Sequence, residues 1–192
     1  ELLDGRVPHH AVEPLGAYGE ILEKWSKRHN LVRAADRREL VDRHLVESLA
    51  PIELLENAGC LVDIGSGAGL PGVPLLCALK NWTGLLVEPR QKRWAFLNLV
   101  IRELGLGAQV VRCRYEDVTE TGFDLVTSRA VGGHEVLLRW ANGHINRRGA
   151  VALWGTVDEA RRLGGLSGWS VISSPLPGLE RGRLIYFKVC ST

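Results

Sequence analysis

The spacing of the hydrophobic positions changes near residue 60. Before it, apolar side chains recur every three or four residues, and those from Leu15 to Trp25 predict a first amphipathic helix. A second helix is predicted to begin at Asp36, because Asp36 and Glu39 have the spacing of a capping box. A third, short helix is expected to end at Gly59. We therefore expect residues 1–59 to form a helical cap that belongs to the same domain as the rest of the chain.

From residue 60 onward, short apolar runs alternate with helical patterns. The predicted strands are 60–64, 84–88, 108–111, 123–127, 150–154, 169–173 and 183–189, and the predicted helices between them are 73–79, 91–104, 134–145 and 157–163. This alternation predicts an α/β fold in which residues 60–192 form a doubly wound, mostly parallel, seven-stranded sheet. The loop at 175–178 contains two prolines and a glycine, so the last two strands are expected to form an antiparallel hairpin.

Composition further restricts the number of domains and the kinds of partner that we expect. The 192 residues are 45% hydrophobic and 24% charged, which suits one domain with a sizeable core. No apolar run approaches the roughly 20 residues of a membrane span, so we expect no membrane partner. The four cysteines form no CxxC pair, which predicts buried free thiols, no metal site and a reducing, cytoplasmic location. A net charge of +2 permits a nucleic-acid partner without requiring one.

The first predicted strand runs into a glycine-rich turn that precedes a helix. Such a turn presents N–H groups to a polar or anionic ligand. Gly65, Gly67 and Gly69 follow the spacing G-x-G-x-G, whereas NAD-binding turns require G-x-G-x-x-G. Glu88 ends the second strand, 23 positions after Gly65, where a carboxylate can accept hydrogen bonds from ribose hydroxyls and repels a 2′-phosphate. The alternatives are a turn that binds no ligand and a solvent-exposed strand-end glutamate.

The segment that begins at Asp63 reads D-x-G-x-G-x-G and resembles motif I of the class I S-adenosylmethionine-dependent methyltransferases. The strand count and the terminal hairpin also resemble this Rossmann-like fold. The resemblance implies S-adenosylmethionine as cofactor, with contacts from Asp63, Gly65, Ser66, Gly67, Gly69 and Leu70. The end of the third strand would then meet the adenine through Tyr115 and Glu116. An ordinary turn or helix cap is an equally good explanation of Glu116.

Arg129 follows the fourth predicted strand within the segment Thr127-Ser128-Arg129-Ala130. At this end of a doubly wound sheet, an arginine can hold a cofactor carboxylate or a substrate phosphate, or it can be an ordinary surface residue. The D/N-P-P-Y/F/W motif of many exocyclic-amine methyltransferases is absent here. We therefore favour a nucleophile with a free lone pair, such as guanine N7, which needs no general base. We identify no acid or base, and Arg129 is the best candidate to position substrate or cofactor.

Two basic segments suggest RNA binding. Arg90, Lys92 and Arg93 lie at the start of a predicted helix, where cations oppose the helix dipole unless they bind a ligand such as phosphate. The window 24–43, which includes Lys27 and Arg28, contains seven Lys/Arg and three Asp/Glu. A solvated basic face is the alternative. His29 in this window, and His44 directly after it, are expected to be structural or surface residues.

Several segments together resemble one family. They are the W-S-K-R-H-N-L run at 25–31, R-H-L-V-E-S-L at 43–49, the glycine turn at 63–72, K-R-W-A-F-L at 92–97 and S-R-A-V at 128–131. These match signatures of the RsmG/GidB methyltransferases, which methylate guanine N7 in bacterial 16S ribosomal RNA, and the resemblance runs from about residue 15 to 189. The departures are Ser26, Val32, Glu47, Tyr115, and Trp154 where the family usually has lysine.

The leading hypothesis is therefore a cytoplasmic rRNA guanine-N7 methyltransferase whose partner is 16S rRNA or the small ribosomal subunit. We expect a monomer, although the resemblance implies no oligomeric state. The alternatives are a methyltransferase for another RNA or a small molecule, and a nucleotide- or RNA-binding protein without catalysis. A dehydrogenase is disfavoured by the glycine spacing.

Overall fold

A computed structural model describes residues 2–129 and 132–190. The strands are β1 (Ala58–Ile64), β2 (Asn81–Val87), β3 (Ala108–Val111), β4 (Phe123–Arg129), β5 (Ile145–Thr156), β6 (Trp169–Pro175) and β7 (Gly182–Val189). The α-helices are α1 (Val12–His29), α2 (Arg37–Leu40), α3 (Gly72–Ala78), α4 (Gln91–Leu104), α5 (His134–Asn142) and α6 (Val157–Leu163). Short 3₁₀ turns occupy His9–Ala11, Ile52–Leu54 and Tyr115–Asp117.

The described strands form one seven-stranded sheet in the order β3-β2-β1-β4-β5-β7-β6. Strand β7 is antiparallel to both of its neighbours, whereas every other neighbouring pair is parallel. The predicted α/β class, the mostly parallel sheet and the terminal hairpin are therefore confirmed. The strand order reverses between β1 and β4. A ligand crevice is expected at their carboxyl ends, because helices on opposite faces leave a gap there.

Helices cover both faces of the sheet. One face packs against α1, α3 and α4 in a cluster that includes Leu61 of β1. The other face packs against α5 and α6 in a cluster that includes Val62 of β1. Consecutive β1 side chains thus enter opposite cores, as the alternation of a strand requires. This explains why β1 is apolar almost throughout.

The segment before β1 is joined to the sheet by buried contacts. Leu15, Tyr18 and Leu22 of α1 are fully buried and share a hydrophobic cluster with Phe96 of α4. The Tyr18 hydroxyl donates a hydrogen bond to the carbonyl oxygen of Ala68, in the glycine turn, at 2.5 Å. The cap therefore supports the turn directly.

The structure differs from the sequence prediction at Gly59, which lies inside β1 and does not end a helix. A Cβ at this position would lie 2.9 Å from the ring of Trp82 and 3.0 Å from Asp124 Oδ2. The glycine is there because β1 and its neighbours approach closely, and β1 consequently begins two residues earlier than expected.

The second predicted helix is also irregular. Asp36 caps α2 by accepting the N–H of Glu39, as predicted, but the Glu39 carboxylate accepts the N–H of Ala35 where a capping box would use that of Asp36. The helix then widens into a π-helical segment at Val41–Val46.

Helix α5 ends at Asn142, three residues earlier than predicted, and β5 begins at Ile145, five residues earlier. The first residues of β5 are mostly polar, so the sequence pattern did not predict a strand there. They pair with β4 through an irregular register. The four cysteines are free, but only Cys77 is buried. Cys190 is exposed, contrary to the expectation of a buried thiol.

Candidate cofactor-binding site

A cavity of about 410 Å³ lies beyond the carboxyl ends of β1, β2 and β4. It is lined by the glycine turn, including Gly65, Ser66, Gly67 and Leu70; by the segment from the end of β2 into α4, including Glu88, Arg90 and Arg93; by Arg129; and by Leu31, Val32 and His44 of the cap. A larger cavity, of about 670 Å³, lies within the cap and is lined by charges of both signs. The smaller cavity is the better candidate because it occupies the topological switch point.

The glycines of the turn adopt backbone angles that favour glycine. Gly65, Gly67 and Gly69 have φ values of +69°, +59° and +93°. At Gly69 a Cβ would also lie 2.6 Å from Val73 Cγ2 and 3.1 Å from the Tyr18 hydroxyl. Gly69 therefore serves the packing beneath the turn, and it is not among the residues that line the cavity.

Glu88 is 3% exposed and is held by backbone groups. Its Oε2 accepts the N–H of Gly67 at 3.0 Å, and its Oε1 accepts the N–H of Arg90 at 2.8 Å. Arg93 Nη1 lies 3.9 Å from Oε2. Each carboxylate oxygen retains a lone pair for another donor, so Glu88 remains able to accept two hydroxyl groups at the cavity wall.

Asp63 lies behind the turn and does not line the cavity. It is fully buried, and it accepts hydrogen bonds from the Thr127 hydroxyl at 2.8 Å and from the Gly72 N–H at 3.3 Å. Burial raises the pKa of Asp63 to about 6, against the lowering effect of these bonds and of Ser66. Its side chain joins β1, β4 and the start of α3, and its predicted contact with the cofactor stays a prediction.

Arg129 is a largely buried cation at the end of β4. Its Nη2 donates to the carbonyl oxygen of Arg43 at 2.8 Å and lies 3.3 Å from Glu47 Oε2, while its buried Nη1 has no partner among the residues that the structure describes. Burial lowers the pKa of Arg129 and raises that of Glu47, and the attraction between them opposes both shifts. Ala130 and Val131, the rest of the predicted segment, lie outside the described residues.

Trp154, which stands where the resembled family has lysine, is almost buried. Its Nε1 donates to the backbone carbonyl of Glu47 at 3.0 Å. This bond joins β5 to the cap beside Arg129. A third cavity, of about 400 Å³, is lined by residues that include Trp154, Glu47 and Arg129. Arg129 also lines the 410 Å³ cavity at the glycine turn.

His44 is a cavity residue that sequence reasoning treated as structural. Its Nε2 lies 3.2 Å from the carbonyl oxygen of Arg33, and its buried Nδ1 has no partner within residues 2–129 and 132–190. Burial lowers its pKa, the bond to Arg33 opposes this, and the nearby Arg129 and Arg43 add to the lowering. The R-H pair at 43–44 was the available signal, but a lone histidine in a helix does not reveal that it faces the glycine turn.

Tyr115 and Glu116 lie in the 3₁₀ turn after β3 and do not line the cavity. Tyr115 packs edge-on against Trp140, with 5.6 Å between ring centroids, and Glu116 is exposed. Their predicted contact with an adenine stays a prediction.

The predicted RNA-binding residues occupy two places. Arg90 and Arg93 line the cavity, and Lys92 is exposed beside them on α4. Lys27 and Arg28 are exposed near the end of α1, where Lys27 pairs with Glu23 at 3.2 Å.

Within residues 2–129 and 132–190, no cluster of three or more His, Cys, Asp or Glu side chains has an arrangement suited to a metal ion. None of the helices in this part of the chain is long and apolar enough to cross a membrane.

The sheet order, with β7 alone antiparallel, and the glycine turn facing the acidic end of β2 define a class I Rossmann-like methyltransferase fold. Solved structures with this fold include a methyltransferase from Geobacter sulfurreducens, with a TM-score of 0.68, 14% identity and coverage of 98% of this chain and 93% of that one. A methyltransferase from Pyrococcus furiosus gives a TM-score of 0.65 and 17% identity, with 91% and 97% covered. At these identities the likeness concerns the fold alone.

Residues 11–161 match the model of the GidB family, described as rRNA small subunit methyltransferase G, and the chain belongs to this family. It is 40% identical over 148 residues to the "Ribosomal RNA small subunit methyltransferase G" of Mycobacterium sp. (strain JLS), with 74% of this chain and 66% of the relative covered. It is 39% identical over 177 residues to the protein of the same name from Stenotrophomonas maltophilia (strain K279a), with 88% and 82% covered.

Proposed function

We propose that this chain transfers the methyl group of S-adenosylmethionine to N7 of a guanine in the 16S rRNA of the small ribosomal subunit. Its family membership and the names of its relatives support the rRNA substrate. The observation that carries the proposal is the cavity at the switch point, where the glycine turn, Glu88 and Arg129 converge. A ribosomal substrate also implies a cytoplasmic enzyme.

The residues of the cavity fit this cofactor. Glu88 offers two oriented oxygens to the ribose hydroxyls. Gly65 and Gly67 have no side chain, so a ligand can approach the backbone of the turn closely. Arg129 Nη1 is a buried donor without a partner in the wall of the same cavity, and a carboxylate such as that of the cofactor's amino-acid tail would satisfy it.

S-adenosylmethionine, when bound, supplies a methyl group on a positively charged sulfur. Guanine N7 carries a lone pair and no proton, so the chain has no proton to remove before the attack. Its residues need only align the nucleophile, and alignment alone can supply much of a rate enhancement. We propose that the acceptor base enters the 400 Å³ cavity beside Trp154, because Arg129 lines both that cavity and the one formed by the glycine turn.

We further propose that Arg90, Lys92 and Arg93 hold RNA phosphates beside the site, with Lys27 and Arg28 extending this contact along the cap. The cations on α4 lie at its first turn, where the helix dipole disfavours them. A bound phosphate would offset that cost.

Incubation with methyl-labelled S-adenosylmethionine, in parallel with naked 16S rRNA and with small subunits, tests this function. We expect label in at least one RNA substrate and, after nuclease digestion, 7-methylguanosine as the labelled nucleoside. Cofactor binding without transfer to either substrate would contradict the proposal. Label on another atom would contradict the N7 assignment while leaving an RNA methyltransferase.

A further inference from the structure

The hydrogen bond of His44 fixes which of its ring nitrogens can accept. A backbone carbonyl only accepts, so the bond to Arg33 assigns the proton to Nε2. Nδ1 then carries a lone pair, and it is buried without a partner. His44 therefore brings an acceptor from the cap to a cavity that is also lined by the glycine turn, Glu88 and Arg129.

The charge state of His44 supports this role. Burial lowers its pKa, and the charges of Arg129 and Arg43 lower it further, while the Arg33 carbonyl and Glu39 act in the opposite direction. The net lowering keeps the imidazole neutral at pH 7, with Nδ1 free to accept.

Two of the four buried polar side-chain atoms that have no partner in the described residues belong to this one cavity. They are His44 Nδ1, which can only accept, and Arg129 Nη1, which can only donate. The other two, Ser26 Oγ and Trp140 Nε1, belong to residues that do not line it. Because buried polar groups are generally hydrogen-bonded, this pair predicts a ligand that carries one donor and one acceptor close together.

An α-amino acid has this complementarity, since its ammonium donates and its carboxylate accepts. We propose that His44 Nδ1 accepts a hydrogen bond from the α-ammonium of the cofactor's amino-acid tail, while Arg129 Nη1 holds the carboxylate. This inference rests on the proposed function. Both atoms are shielded from solvent in this structure, so side chains at the cavity wall have to move as the tail enters.

The cap would then select cofactors that have an amino-acid tail. Two ligands separate this role from general support of the fold. S-adenosylhomocysteine carries the tail, and 5′-methylthioadenosine lacks it while keeping the adenine, ribose and sulfur. Titration calorimetry with each ligand measures the contribution of the tail without requiring methyl transfer.

Two substitutions of His44 separate its two nitrogens. In His44→Gln, the side-chain NH₂ replaces the Nε2 donor to Arg33, but the Nδ1 acceptor is lost. In His44→Asn, the side-chain oxygen replaces the Nδ1 acceptor, but the bond to Arg33 is lost. We expect His44→Gln to bind S-adenosylhomocysteine about tenfold more weakly or worse, as for a lost hydrogen bond to a charged group. It should bind 5′-methylthioadenosine as the unsubstituted protein does, and His44→Asn should retain most of the tail-dependent affinity.

The same assay at lower pH gives a second readout. Protonation of His44 removes the acceptor and repels an ammonium, so the affinity for S-adenosylhomocysteine should fall once the pH drops below the lowered pKa of His44, which lies under the ordinary histidine value of 6.5, while the affinity for 5′-methylthioadenosine stays level. His44→Gln should lack this pH dependence. His29→Gln, at the exposed end of α1 and outside the cavity, is the matched control and should match the unsubstituted protein with both ligands.

Equal weakening of both ligands by His44→Gln would overturn the inference, because the role of His44 would then be structural. Unchanged binding of S-adenosylhomocysteine by that variant would overturn it as well. If the unsubstituted protein binds neither ligand, the proposed cofactor itself is wrong, and that result is distinct from the other two.

Discussion

Backbone groups alone supply the hydrogen bonds that orient Glu88. The N–H groups of Gly67 and Arg90 each take one carboxylate oxygen. A carboxylate can accept from both because it has no proton of its own. The same residue thus fixes the end of β2 against the glycine turn and presents the remaining lone pairs to the cavity.

Glu88→Gln should therefore weaken cofactor binding while leaving the size of the side chain nearly unchanged. The amide NH₂ of glutamine would face one of the two backbone N–H groups and lose that hydrogen bond, and it would accept poorly from a second ribose hydroxyl. We expect a loss of about tenfold or more in S-adenosylhomocysteine affinity by calorimetry. The control Glu103→Gln, exposed on α4, should leave the affinity unchanged. Equal affinities in both variants would show that Glu88 does not touch the ligand.

The raised pKa of Asp63 leads to a prediction about how the free energy of unfolding depends on pH. Its pKa is about 6 in the folded protein and 3.8 in its unperturbed state. A raised carboxyl pKa means that the folded state binds the proton more tightly, so this group favours folding below about pH 4. That contribution is lost as the pH rises through 6, and it amounts to at most roughly 3 kcal/mol.

Asp63→Asn removes this titration and keeps the acceptor for the Gly72 N–H. The free energy of unfolding of the unsubstituted protein should fall relative to that of the variant between pH 4 and pH 7. Urea titrations of both proteins across this range measure the difference. A constant difference would mean that Asp63 keeps an ordinary pKa in the folded protein.

At the residue scale, the sequence predicted those features that depend only on residues close together in the chain. The positive φ values of the glycines and the position of Glu88 follow from one strand and one turn. The burial of Asp63 and the cavity contact of His44 depend on β4 and on the cap, which approach from 64 residues later and 19 residues earlier than Asp63. The spacing of residues along the chain does not predict contacts between segments that are so far apart in sequence.

At the scale of elements, α1 supports the glycine turn from below. The Tyr18 hydroxyl bonds the carbonyl of Ala68, and the ring lies under Gly69. Burial raises the pKa of Tyr18 well above its usual value, so the hydroxyl remains a donor at all working pH values. A helix from the cap thereby supports the turn that lines the candidate cofactor site, although α1 itself does not line the cavity.

Tyr18→Phe should loosen the turn without creating a large cavity. We expect a loss of about 1–2 kcal/mol in the free energy of unfolding together with a several-fold weaker affinity for S-adenosylhomocysteine. Tyr186→Phe removes a comparable hydroxyl, bonded to Leu54 and lining a cavity remote from the turn. It should change stability alone, and a parallel loss of affinity in both variants would contradict the local role of Tyr18.

Helix α4, strand β3 and helix α6 have the bounds that the sequence predicted, because their apolar spacing and end signals agree. Strand β5 is longer than predicted since its first residues are polar and pair irregularly. The prediction at Gly59 was wrong because the sequence alone does not distinguish a glycine that allows close packing within a sheet from one that ends a helix.

At the scale of the whole molecule, exposed cations lie at both ends of the sheet. Arg90 and Lys92 lie beside the candidate site, whereas Arg147 and Arg148 are exposed where β5 begins, at the amino ends of the parallel strands. A double substitution at either end removes the same charge. Only a pair that touches RNA should change the salt dependence of binding.

Arg90→Gln with Lys92→Gln should therefore weaken binding to 16S rRNA and reduce the slope of log K against log salt by about one to two. Arg147→Gln with Arg148→Gln should change neither quantity appreciably. Filter binding at several salt concentrations makes the comparison. Equal losses in both double variants would indicate attraction by net charge alone.

The fold as a whole was predictable because the alternation of strands and helices restricts the topology. The glycine spacing then separated this class from the dinucleotide-binding proteins. The position of β7 was not predictable in this way: a hairpin can attach to a sheet by either strand, and the choice depends on which one matches the exposed edge of β5.

That choice has a consequence for synthesis on the ribosome. In the described part of the chain, strand β6 pairs only with β7, although β6 leaves the ribosome first. Until β7 has emerged, β6 has no place in the sheet and β5 remains an open edge that other nascent chains can pair with. Pairing of β7 with both β5 and β6 removes that open edge, so we expect a chain that stops after β6 to aggregate more readily than one that includes β7.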